Sequence, residues 1–195
     1  MRLTVNTFLT LDGVMQGPGS ADEDPSGGFT GGGWMVAHAD AQVARIASEW
    51  FGYGDALLLG RNTYEMLRPF WEADTDPFDL VAAHINHMPK YLVSSTAEDP
   101  TWNNTRVIHG DVLAAVEDIK SRGTGEVQVH GSYRLARTLY DAGLVDAYRL
   151  LILPVTVGEG KRLFNRPSDL GPYTLTRKET TDSGALAVTL SRKEK

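Results

Sequence analysis

The sequence contains no cysteine, which excludes disulfide bonds, a thiol nucleophile and a cysteine-ligated metal. It contains no apolar run of about 18 residues, the length at which a membrane-spanning helix becomes a candidate. A net positive charge is also lacking: 25 acidic residues outnumber 19 basic ones and the formal net charge is −6, so no broad basic surface is expected to attract nucleic acid. The first residues, "MRLTVNTFLTLDG", lead into a strand pattern without the small-residue cleavage site of a signal peptide. These absences predict a cytoplasmic enzyme or binding protein that contacts neither membrane nor nucleic acid.

Length and composition are those of an ordinary soluble globular protein. The chain has 195 residues, which is enough for one well-packed domain and short for two. Hydrophobic residues make up 42% of it and charged residues 23%. No internal repeat or linker composition interrupts the chain, and a single domain over 1–195 is predicted.

Short apolar segments alternate with segments of helical periodicity along the chain. Strands are predicted at 2–10, 55–60, 90–95, 105–110, 126–131, 147–155, 173–181 and 185–193, and helices at 35–52, 61–71, 77–88, 112–122 and 132–142. The last two strands are joined through Asp182–Gly184, which is a hairpin signal. This order predicts a three-layer α/β/α sandwich around a mixed sheet, mostly parallel with an antiparallel C-terminal hairpin.

The first predicted helix carries an acidic residue on its apolar face. Val36, Val43 and Trp50 share that face at helical spacing, and Asp40 lies on it near the start of the helix. A carboxyl group at the sheet end of a buried stripe is a candidate general acid. The alternative is that Asp40 complements the positive end of the helix dipole.

Three predicted strands end in small, hydroxyl-bearing or basic residues. Ligands of open α/β sheets bind beyond the carboxyl ends of the strands, and a helix that begins there offers unpaired N–H groups to a phosphate. The alternative is an ordinary strand-to-helix connection, in which Ser132 serves only as a helix cap. The residues at these ends are Gly60, Arg61, Asn62 and Thr63, then Ser94, Ser95 and Thr96, and finally His130, Gly131, Ser132, Tyr133 and Arg134.

The same stretches resemble the dihydrofolate reductase superfamily. "FLTLDGVM" is similar to its first strand and the turn toward the nicotinamide, and "LLLGRNTYEMLRP" to its strand-to-helix corner. "KYLVSST" and "VQVHGSYRLARTLYDAGLVDAYRLLILPVTVGEGKRLF" resemble the remaining cofactor-side elements in the right order. The closer resemblance is to the reductase domain of the bacterial riboflavin deaminase–reductase, and "DEDPSGGFTGGGW" looks like a loop of its stand-alone members. The motifs of the zinc deaminase half are absent from the sequence.

This resemblance implies a dihydrofolate-reductase-like fold and NADPH as the cofactor. It implies that the cofactor phosphates bind at Gly60, Arg61, Asn62 and Thr63, the adenosine 2′-phosphate at Arg61 and the Ser94–Ser95 pair beside Thr96, and the pyrophosphate at Gly131, Ser132, Tyr133, Arg134 and Leu135.

The substrate side departs from the family pattern. Folate reductases place one acid on the helix after the long loop, and Asp40 stands on that helix at a different distance from Gly60. The riboflavin branch carries an acid near the position of His130. Histidine there puts the aminopyrimidine substrate of that branch in doubt.

The glycine-rich segment 17–34 is predicted to be a lid over the substrate. Its glycines supply hinges, and Phe29 and Trp34 supply apolar cover, while Met15 stands next to the expected nicotinamide position. The alternative is a disordered loop. No metal is predicted, because the acidic part of this loop lacks the final glutamate of a calcium loop.

The function that these patterns and the resemblance favour is an NADPH-dependent reductase of a small heterocyclic or carbonyl substrate. The reaction it most resembles is 5-amino-6-(5-phosphoribosylamino)uracil reduction in bacterial riboflavin biosynthesis. The alternatives are a dihydropterin or dihydrofolate reductase, and a nucleotide-binding or sensor protein without turnover. Relatives pair as dimers and the strand "YRLLILPV" is strongly apolar, so a homodimer is expected.

Overall fold

The structure is a computed structural model that describes residues 1–73, 79–164 and 173–193. These residues form eight strands and five α-helices. In chain order these elements are β1 (Arg2–Thr10), α1 (Ala41–Gly52), β2 (Ala56–Gly60), α2 (Arg61–Glu72), α3 (Leu80–His87), β3 (Lys90–Val93), β4 (Thr105–Ile108), α4 (Val112–Ser121), β5 (Glu126–His130), α5 (Tyr133–Asp141), β6 (Ala147–Leu153), β7 (Tyr173–Thr180) and β8 (Leu186–Arg192). No helix of these ranges combines the length and hydropathy that crossing a membrane requires.

The strands form one mixed sheet in the order β4-β3-β2-β5-β1-β6-β8-β7. Strands β1 to β6 pair in parallel. Strand β8 is antiparallel to β6 and to β7 and closes the sheet as a C-terminal hairpin. The predicted α/β fold is therefore confirmed.

The central strands are buried on both faces, as expected for a parallel sheet covered by helices. Side chains alternate along a strand, so Leu3, Val5 and Leu9 of β1 join the core beneath α4 and α5. Phe8 points to the other face and packs with Trp50 of α1. A further cluster joins β2 and β3 to α2 and α3 on that second face. The sheet thus lies between two helical layers.

The start predicted for the first helix is wrong. Helix α1 begins at Ala41, and residues 36–38 form a separate 3₁₀ turn in which Val36 is 61% exposed. The cause is Asp40, whose carboxylate accepts the N–H of Val43 at 2.8 Å and caps the helix at that point. The helix predicted at 77–88 is observed as α3, which Asp79 caps; residues 77 and 78 lie outside the described ranges.

Lys90 is fully buried at the start of β3. Its ammonium group donates to the carbonyls of Asn86 at 3.1 Å, Met88 at 3.0 Å and Asn103 at 3.0 Å. It also lies 4.7 Å from the ring centroid of Trp102. One side chain therefore joins the end of α3, the start of β3 and the loop before β4.

Replacing Lys90 by methionine is expected to lower the free energy of unfolding by about 2–4 kcal/mol. Methionine fills a similar volume but leaves three carbonyls without their donor, and that loss outweighs the relief of a buried charge. Urea denaturation of the unmodified protein and Lys90→Met measures the difference. Lys178→Met, on exposed β7, is the matched control and should change stability by less than about 0.5 kcal/mol. Equal stability of the two variants would contradict the role given to Lys90.

Candidate functional site

Two helices begin side by side where β2 and β5 end. The N–H of Gly60, before α2, donates to Ser132 Oγ at 3.0 Å, and the N–H of Ser132, before α5, donates to Thr63 Oγ1 at 3.1 Å. The strands β2 and β5 are neighbours in the sheet, so their carboxyl ends lie together. The structure thus brings together the first and third of the strand ends singled out in the sequence.

These two helix starts lack the caps that the other helices have. Within the described residues, aspartates at positions 40, 79 and 111 cap α1, α3 and α4 by accepting backbone N–H groups. No side chain caps α2 or α5. The first-turn N–H groups of α2 and α5 and the positive ends of their dipoles are therefore available to an anion.

The backbone before α5 adopts a conformation that L-residues seldom take. Gly131 has a φ of 54° and Ser132 a φ of 47°. A left-handed serine costs of order 1–3 kcal/mol and persists only where the surroundings impose it. Here it directs the hydroxyl of Ser132 to Gly60 and away from its own helix. Ser132 is therefore not a side-chain cap, which was the alternative reading of this position.

Arg61 faces the end of β3, the second of the polar strand ends. Its Nε donates to Glu65 Oε1 at 2.6 Å and its Nη1 to Thr96 Oγ1 at 2.6 Å. Ser94 Oγ accepts the N–H groups of Thr96 at 3.2 Å and Ala97 at 3.0 Å, which fixes the turn after β3. Arg61 and the Thr96 hydroxyl thus meet beside the start of α2, and Ser94 holds the turn that carries Thr96.

The turn after β1 is fixed by Asp12, which sequence reasoning did not assign as a site residue. Asp12 accepts the hydroxyl of Thr10 at 2.6 Å and the N–H groups of Val157 at 3.3 Å and Gly158 at 2.9 Å. The Thr10 hydroxyl, followed by these backbone donors, lowers the pKa of Asp12 to about 2. Arg162 pairs with the same carboxylate at 3.2 Å. The loop after β6 is therefore fastened to the end of β1.

Gln16 joins three loops through both ends of its amide. Its Oε1 accepts the N–H of Lys161 at 3.0 Å, and its Nε2 donates to the carbonyls of Asp24 and Ser26, each at 2.9 Å. Lys161 Nζ adds contacts to Asp24 Oδ2 at 2.5 Å and Ser26 Oγ at 2.6 Å. The segment 17–34 is thus bonded to Gln16, after β1, and to Lys161, in the loop after β6. Its role as a lid stays a prediction.

The three apolar residues assigned to the substrate side lie in packed positions. Trp34 is 7% exposed, packs with α1 and β6, and donates from Nε1 to the carbonyl of Gln16 at 2.8 Å. Met15 is 6% exposed and belongs to the core under α4 and α5. Phe29 packs against the cluster of Trp34. Their contact with a substrate stays a prediction.

Asp40 lies apart from the helix starts described above. One carboxylate oxygen caps α1, and the other accepts the N–H of Ser183 in the β7–β8 turn at 3.0 Å. The N–H of Val43, followed by the contacts with Ser183, lowers the pKa of Asp40. A carboxylate held in its ionised form is a poor proton donor near neutral pH. The role of Asp40 as general acid stays a prediction that this environment disfavours.

His130 ends a row of buried polar residues on the face of the sheet under α1. Its ring stacks on Phe51, with centroids 3.9 Å apart, and its Nε2 lies 2.8 Å from Gln128 Oε1 and 3.1 Å from Asn6 Nδ2. Burial, followed by the positive charge of Arg149, lowers the pKa of His130 to about 3. His130 is therefore neutral at physiological pH.

The row continues to a buried ion pair. Gln128 Nε2 donates to Glu126 Oε1 at 2.6 Å and to the carbonyl of Trp50 at 2.6 Å. Arg149 donates to both oxygens of Glu126, at 2.5 and 2.8 Å. Sequence reasoning missed this network, although "EVQVH" carries its signal: three polar side chains at alternate positions of a buried strand.

Metal binding has no support in the described ranges. No group of three His, Asp or Glu side chains there is arranged to hold an ion. Two histidines lie three residues apart on α3, and a backbone carbonyl engages each of them: that of Gly54 contacts His84 and that of Ala83 contacts His87, each at 2.8 Å.

The sequence matches a known protein family and a bacterial relative over most of its length. A family model described as the RibD C-terminal domain matches residues 2–187. The uncharacterized protein YyaP of Bacillus subtilis (strain 168) is 27% identical over 168 residues, which are 84% of this chain and 80% of that protein.

Solved structures share the fold at low sequence identity. The putative riboflavin biosynthesis protein from Shewanella sp. PV-4 superposes with a TM-score of 0.66 at 20% identity, over 100% of both chains. Dihydrofolate reductase from Enterococcus faecalis, complexed with NADP(H) and RAB-propyl, gives a TM-score of 0.62 at 15% identity, over 99% of this chain and 97% of that one.

The neutral state of His130 predicts a pH-dependent stability. An unfolded chain protonates this histidine near pH 6.5, whereas the folded protein does so only near pH 3. The His130 contribution is therefore complete above about pH 6.5 and is lost by about 1.4 kcal/mol per pH unit below it. Urea denaturation between about pH 7 and 4 measures the free energy of unfolding of both proteins. Below about pH 6.5, the unmodified protein should lose about 1.4 kcal/mol more per pH unit than the His130→Gln variant. Parallel losses would contradict a histidine that the fold keeps neutral.

Proposed function

The chain belongs to the family of the RibD C-terminal domain, and we propose that it is an NADPH-dependent reductase of a small heterocyclic or carbonyl substrate. The observation that carries the proposal is the pair of uncapped helix starts joined through Ser132. The other three described helices have an aspartate cap, whereas the first turns of α2 and α5 leave their N–H groups to a ligand, and phosphate groups are the ligands that such helix starts favour.

The residues present fit the phosphates of NADPH. The first-turn N–H groups of α2 and α5 would hold the diphosphate, and the left-handed backbone at Gly131 and Ser132 lets it approach closely. Arg61, Ser94 and Thr96 together offer donors to the 2′-phosphate. The nicotinamide would supply the hydride.

On the other side of the proposed site, fastened loops would exclude water. Asp12 ties the loop after β6 to the turn after β1, and Gln16 ties the segment 17–34 to both. A closed, water-poor surface favours hydride transfer and suppresses side reactions. The contribution proposed for these residues is orientation and shielding.

A protein that binds the dinucleotide without turnover is the second candidate. The observation that favours it is the ionised, capping state of Asp40, the one acid that the resemblance offered as proton donor. Measuring NADPH oxidation with dihydropterins, aminopyrimidine ribosyl phosphates and flavins separates the two candidates. Tight NADPH binding with no oxidation by any of these would favour the binding protein.

Arg61→Ala tests the proposed cofactor site. The unmodified protein should bind NADPH at least about tenfold more tightly than NADH, because one charge-assisted contact contributes about 1.5–3 kcal/mol. The variant should lose most of that difference while its affinity for NADH stays within about twofold. Fluorescence titration or calorimetry measures both constants.

Arg68→Ala is the control for this experiment. Arg68 lies two turns further along α2, where it pairs with Glu72, and its loss should leave both affinities unchanged. Equal affinity of the unmodified protein for the two dinucleotides would contradict the assignment of Arg61 to the 2′-phosphate.

A further inference from the structure

Arg61 is paired with an acidic residue of its own helix. Glu65, one turn along α2, accepts the Arg61 Nε–H at 2.6 Å. The two side chains are 51% and 54% exposed, so a ligand can reach both. Any phosphate that approaches Arg61 therefore approaches a carboxylate as well.

The cluster around Arg61 contains one acceptor among its donors. The guanidinium group donates only, and the hydroxyl of Thr96 accepts from it, which leaves the Thr96 proton free to donate outward. Ser94 is 8% exposed and accepts two backbone N–H groups, which holds the turn that carries Thr96. Glu65 alone among these four side chains can only accept a hydrogen bond.

We infer that Glu65 sets the cofactor preference of this site by reducing the advantage of NADPH over NADH. The inference rests on the proposed function. The carboxylate of Glu65 repels the 2′-phosphate of NADPH, yet it offers an acceptor to the 2′-hydroxyl of NADH, as acidic residues do in NAD sites.

The expected size of the effect follows from the charges. Arg61 and Glu65 together carry no net charge, whereas Arg61 beside a glutamine carries one positive charge. A unit charge about 6 Å from a phosphate dianion in water changes binding by roughly tenfold, and physiological salt reduces this to about threefold. Glutamine keeps an oxygen that accepts from Arg61 Nε, so the orientation of the guanidinium group is retained.

The experiment compares NADPH and NADH binding by the unmodified protein, Glu65→Gln and Glu72→Gln. Glu72 is the matched control because it pairs with Arg68 on the same helix with the same four-residue spacing, at 2.8 Å. Calorimetry at low and at physiological salt should show Glu65→Gln binding NADPH about three- to tenfold more tightly, with the larger gain at low salt. Its affinity for NADH should be unchanged or lower, and Glu72→Gln should change neither.

Two outcomes separate this inference from the proposed function. The inference is overturned, and the proposed function stands, if the unmodified protein binds NADPH but Glu65→Gln does not raise the preference for NADPH over NADH above that of the unmodified protein. If the unmodified protein binds neither dinucleotide, the proposed function fails and the inference fails with it. Circular dichroism of the variants confirms that these exposed substitutions leave the fold intact.

Discussion

The hydroxyl of Ser132 joins the start of α5 to the start of α2 by accepting the N–H of Gly60, which lies 72 residues earlier in the sequence. Because it accepts from Gly60 while the Ser132 backbone donates to Thr63, the ends of β2 and β5 are held in one arrangement. The left-handed backbone that allows this is unfavourable by itself, and the two hydrogen bonds offset much of its cost. Everything proposed for the dinucleotide depends on this junction, since it leaves two sets of backbone donors facing the same space.

The two sides of the proposed site are built differently. The phosphate side consists of backbone groups on regular elements, whose positions the sheet fixes. The opposite side consists of loops that have no regular structure to hold them. Side-chain contacts centred on Asp12 and Gln16 hold them, with Lys161 adding contacts to the segment 17–34.

The fold and the two strand-to-helix junctions could be predicted from the sequence because their signals are local. Alternating apolar residues mark the strands, and Gly60 and Gly131 mark the points where strand becomes helix. The helical period alone places the start of α1 too early, because the apolar residue Val36 continues that period beyond the cap at Asp40. Partners such as Lys161 and Gln16 lie 145 residues apart, and no local pattern reports a contact of that kind.

The buried polar row under α1 has a consequence for how the sequence can diverge. Glu126 and Gln128 come from β5, Arg149 from β6 and Asn6 from β1, and each satisfies a group on its neighbour. Replacing Arg149 alone would leave the carboxylate of Glu126 without its positive partner, and the free energy of unfolding would fall by several kcal/mol. These positions are therefore coupled, and in related sequences they should covary: a lineage that loses the charge at 149 should also lose the one at 126.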